Sequence, residues 1–81
     1  MPYNNPSPSQ STTLTAAERS KEARRILEML REEPEEDLER KLSARAQEFV
    51  SAKWLEMDLG GQLNVTPDQY WWLQDLWSRF A

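Results

Sequence analysis

The chain has 81 residues and a net charge of −4, from 14 acidic and 10 basic side chains. It holds no cysteine and no histidine, which excludes disulfides, thiolate chemistry, the usual zinc sites and histidine-based acid–base or nucleophilic catalysis. A chain this short supports one domain at most, its acidic balance argues against contacts to nucleic-acid phosphates, and no apolar run approaches the ~20 residues that span a membrane.

Residues 1–14 carry no charge and three of the five prolines. Such a segment buries too little apolar surface to offset its ordering entropy, so a flexible polar tail is expected over 1–14. Tyr3 is its only large side chain and the one place a docking role could sit. No charged start followed by an apolar stretch is present, so no secretory signal is expected and a cytoplasmic location is the default.

The helical domain is expected over 15–81. Thr15 and Glu18 form a capping-box pattern, and a first helix follows over about 16–33. Ala16, Ala23, Ile26, Leu27 and Leu30 share one stripe, while Lys21, Arg24 and Arg25 point away from it. Glu18, Glu22 and Glu28 are interleaved with those bases, so that face reads as solvated. Pro34 should end the helix near Glu33 and can occupy the first turn of the next one.

A second helix is expected over about 35–59. Glu35, Glu36 and Asp37 suit the positive end of its dipole, and Glu36–Arg40 and Asp37–Lys41 have ion-pair spacing. Leu38, Leu42, Ala46, Phe49, Val50 and Met57 fill one side, with Trp54 at the margin. Ala44, Ala52, Leu55 and Leu59 fill the opposite side. A helix apolar on both sides should be covered on both, by this chain or by a second copy. Gly60 is placed to end it in the left-handed conformation. The acidic run around Pro34 lacks the ligand alternation and glycine turn of a calcium loop, so no metal and no cofactor are expected.

The third helix is expected over about 67–80. Thr66 and Gln69 form a second capping box, Pro67 suits the first helical position, and Val65 and Tyr70 occupy the staple positions. Leu73, Leu76, Trp77 and Phe80 make its central stripe, with Tyr70 and Trp72 at the edges. Trp71 projects instead to the side of Gln74, Asp75 and Ser78. Asn64-Val65-Thr66 matches a glycosylation pattern, but Thr66 is committed to capping.

The resulting expectation is an all-α fold: a loose tail, an antiparallel helical hairpin, and a tryptophan-rich third helix folded back on the second. No residues fall in a catalytic spacing, so neither an enzyme nor a small-molecule substrate is expected. A domain this small with surplus aromatics points to association. The leading expectation is a protein–protein interaction module, a regulator, inhibitor or assembly factor. Trp71, Trp72, Trp77, Tyr70 and Phe80 would form its binding surface, with Trp54, Leu55 and Leu59 as further contacts. The partner would be another protein or a second copy in a homodimer. The alternatives are a homo-oligomeric structural subunit and an acidic mimic of nucleic acid built on Glu32, Glu33, Glu35, Glu36, Asp37 and Glu39.

Overall fold

The computed structural model describes residues 14–80. They form four helices and, among the described residues, no strand: α1 (Ala16–Arg31), α2 (Glu35–Lys41), α3 (Ala44–Asp58) and α4 (Pro67–Ser78). No helix among them is long and apolar enough to cross a membrane. The tail expected over 1–14 lies outside the described residues except for Leu14, which packs against the core.

Both capping boxes form. Thr15 Oγ1 accepts from the Glu18 amide at 3.1 Å, and the Thr15 amide donates to Glu18 Oε1 at 2.9 Å. Thr66 and Gln69 do the same at 3.1 and 3.0 Å. Each box satisfies amides that the first turn of a helix leaves without partners. α1 ends two residues before the expected Glu33, with Glu32 as its C-cap. Its stripe is buried at Ala23, Ile26, Leu27 and Leu30, whereas Ala16 is exposed.

The continuous helix expected over 35–59 is broken in two. Leu42 adopts an extended conformation (φ −113°, ψ 138°) and Ser43 caps α3, its hydroxyl accepting from the Ala46 amide at 3.1 Å. Gln47 Nε2 donates back to the Leu42 carbonyl at 2.9 Å, satisfying a carbonyl exposed by the break. The break lets Leu42 turn inward and be buried with Ala46 and Val50. Pro34 is the N-cap of α2 rather than part of its first turn. The expected i,i+4 pairs are replaced as well. Arg40 pairs with Asp37 at 2.8 Å, and the Lys41 ammonium lies 4.9 Å from the Phe80 ring centroid.

The expected hairpin of adjacent helices is also replaced. α2 packs on α3, and α1 packs chiefly on α4 and then on α3. α4 therefore folds back mainly on the first helix, not the second. Two contacts tie α1 to α3 one turn apart. The Trp54 indole N–H donates to the Leu27 carbonyl at 2.9 Å, and Arg31 grips Asp58 with two bonds of 2.9 and 2.6 Å. The core is the buried set around Leu27, Leu30, Val50, Leu73 and Leu76. Each buried aliphatic side chain contributes about 1.5–3 kcal/mol relative to exposure.

Gly60 has a φ of +76°, the left-handed conformation expected of it, and ends α3. The chain beyond it reaches α4 in a run without regular structure that buries Leu63 and Val65 and exposes Asn64 between them. Three successive carbonyls of this run are held by side chains. Ser20 Oγ donates to Leu63 O at 2.8 Å, Lys53 Nζ to Asn64 O at 2.7 Å, and Arg19 Nε to Val65 O at 2.7 Å. A buried loop must satisfy its backbone polar groups, and these three donors do so from α1 and α3.

Candidate partner-binding surface

α4 is held by its N-terminal box, by the clamped loop that enters it, and by Tyr70, Leu73 and Leu76 buried beneath it. That fixes the direction of every aromatic it carries. Tyr70 is buried, and its hydroxyl accepts from Gln74 Nε2 at 2.7 Å. Trp72 lies flat on Phe49 of α3, with ring centroids 4.5 Å apart and planes 16° from parallel. Trp77 stacks against Phe80, 5.9 Å away, and Phe80 follows the end of α4. Trp54 is half-buried, its N–H spent on Leu27 and its face covered by Arg31 at 5.6 Å.

Tyr70, Trp72, Trp77, Phe80 and Trp54 are thus part of, or packed against, the core. Trp71, Leu55 and Leu59 face outward at 48%, 58% and 76% exposure. Trp71 touches its own chain edge-on at Tyr70, centroids 5.7 Å apart and planes 62° from parallel. Leu55 and Leu59 stand with Ala52 on the outer side of α3, and Ala44 is exposed at its start. The second apolar side of the long helix is therefore not covered by the described part of this chain.

Sequence reasoning missed Lys53. It is 7% exposed, and its ammonium bridges Glu56 Oε2 at 2.9 Å and the Asn64 carbonyl. A lysine on a helix ordinarily reads as solvated, and the loop carbonyl that draws this one inward comes from beyond the helix. One charged contact shifts its members. The hydrogen bonds from Arg31 hold the Asp58 carboxyl below its ordinary range, and the same bonds raise the Arg31 guanidinium.

Among the described residues, no group of three or more Asp or Glu side chains is arranged to hold a metal ion. Comparison with models of known families, with curated proteins and with solved structures finds no match to this chain. Among the described residues, the arrangement is a small helical frame that packs most of its aromatics against the core and leaves one indole and one short leucine stripe exposed. Such groups can supply buried area to another protein.

Proposed function

We propose that this chain is a small, non-enzymatic protein-interaction module, acting in the cytoplasm, that binds and modulates a partner through its C-terminal helix. Trp71 is the anchor on α4. Tyr70, Trp72, Trp77 and Phe80 hold the helix that presents it, rather than meeting the partner themselves. The observation that carries this reading is the contrast within α4: Trp72 and Trp77 are half-buried in stacks, while Trp71 stands 48% exposed. A tryptophan already fixed by its neighbours loses little side-chain entropy on binding, and truncating such an anchor costs an interface about 2 kcal/mol or more.

A second reading, a homo-oligomeric subunit, is favoured by the uncovered Ala52–Leu55–Leu59 stripe on α3. Ala52, Leu55 and Leu59 have the three-then-four spacing with which helices of two copies can pack side by side.

One experiment separates the two. A photo-reactive tryptophan analogue, which keeps the indole, is placed at position 71 of the full chain, with the same residue at Arg24 as control, and adducts are sized after irradiation in the source cells. The interaction reading expects a discrete adduct from position 71 that excess unmodified chain competes away and Trp71→Ala does not. It fails if the Trp71→Ala chain competes equally well. An adduct of twice the chain's mass moves the oligomer ahead.

A further inference from the structure

The cleft between α2 and α3 is a feature that neither the core nor the α4 surface uses. Leu38, Leu42, Val50 and Trp54 supply its apolar lining, and Glu35 and Glu39 stand at it on the α2 side. Gln47 and Ser51 complete it from α3. Its volume is about 100 Å³, somewhat less than the ~150 Å³ cavity that accepts benzene. It fits one aliphatic side chain and is too small for an indole. Its α3 wall is set before anything enters: Trp54 is tied to the Leu27 carbonyl and covered by Arg31, and Gln47 is tied to the Leu42 carbonyl. A wall already fixed spares an incoming group part of the ordering cost that weakens most interfaces.

The charged side chains that line it, Glu35 and Glu39, have one sign. Glu32, Glu33, Glu35, Glu36, Asp37 and Glu39 fall within eight consecutive residues. Among the described residues only Asp37 of these is ion-paired, to Arg40. Glu35 and Glu39 at the cleft form no salt bridge there, so the negative field at the opening is not neutralised locally.

We infer that this cleft docks a basic segment of a partner protein. One leucine-sized side chain enters between Leu38 and Trp54, and the lysines or arginines flanking it meet Glu35 and Glu39. The apolar lining sets the anchor and the carboxylates choose the sign of its neighbours. No residue of α4 lines the cleft, so this inference stands apart from the role proposed for Trp71, and either can fail alone.

The test uses the full chain and a short synthetic peptide with one leucine flanked by lysines. It is compared with the same peptide carrying alanine for leucine, and with one carrying glutamate for lysine. Binding is followed by NMR at the amide and indole N–H groups. The leucine–lysine peptide is expected to shift the Trp54 indole and the Leu38 and Ser51 amides. The alanine peptide should bind about tenfold more weakly, since it removes apolar contact worth over 1 kcal/mol. The glutamate peptide should not bind.

Ser51→Phe fills the cleft from an exposed position, and the pair Glu35→Lys, Glu39→Lys reverses its charge. Each should weaken the leucine–lysine peptide about tenfold or more, and the unperturbed spectrum reports whether the fold is kept. If one variant unfolds, the other decides. Equal affinity of the leucine and alanine peptides would reduce the cleft to a charged patch and overturn the inference. Shifts confined to the Trp71 indole, or binding indifferent to both variants, would overturn it equally.

Discussion

At the scale of single residues, neighbouring tryptophans on one helix do different work. Trp72 loses a stacked partner and packed surface if truncated, whereas Trp71 is the more exposed ring and meets Tyr70 edge-on. Trp72→Ala is expected to cost roughly 3 kcal/mol in urea unfolding. Trp71→Ala should stay within about 0.5 kcal/mol of the unmodified chain. A large loss at position 71 would mean its ring supports the fold. The difference between these two tryptophans was legible in the helical period, which sets them 100° apart and puts only Trp71 on the polar side. Lys53 was not legible, because its burial depends on a carbonyl eleven residues away that no local pattern announces.

At the scale of elements, the same contrast runs between what is local and what is not. The two capping boxes and the left-handed Gly60 are local, and each could be read from a few adjacent residues. The break at Ser43 was masked. Leu38, Leu42, Ala46 and Val50 keep a strict four-residue spacing straight through it, so the apolar stripe looks like one helix. The one sign of an end, Ser43, lacks an acid or amide three residues on, because Ala46 stands there. Which helix packs on which was also beyond local reading, because α1 meets α4 across the whole length of chain between them. The glycines after α3 offer a clean test of local strain. A methyl group at either meets nothing within 4 Å, but only Gly60 has positive φ. Gly60→Ala should cost about 1 kcal/mol, from the left-handed backbone alone. Gly61→Ala should cost nothing or stabilise slightly by restricting the unfolded chain. Equal thermal shifts for the two would contradict the assignment of Gly60 as the turn.

For the whole molecule, cross-links between helices replace the staples that many domains of this size need, and one of them is an ion pair. Arg31 and Asp58 join the ends of α1 and α3 at the surface. The folded Asp58 carboxyl lies below its unfolded value, so its contribution is fully present above the ordinary carboxylate range. That contribution is lost as pH falls through the lowered folded value. Asp58→Asn should therefore lower the melting temperature slightly at neutral pH and make no difference in strong acid. Because both groups are half-exposed, high salt should shrink the neutral-pH difference too. A melting difference that persisted in acid would assign the effect to packing rather than charge.

α2 completes the molecule without being anchored like the rest of it. It is seven residues long and buries none of its own side chains fully. An isolated helix of that length is far below the ~12–15 residues that begin to hold together in water. Its opening should therefore cost less than that of the longer helices, each of which buries side chains of its own, and it is expected to detach while α1, α3 and α4 stay packed. Glu35, Glu36 and Glu39 of this segment form no salt bridge, so a basic partner that grips them also pins the helix down. Binding there would be reported as slowed amide exchange in residues 35–41 before any change reached the core, and occupancy would raise the stability of the whole chain in proportion to ligand concentration.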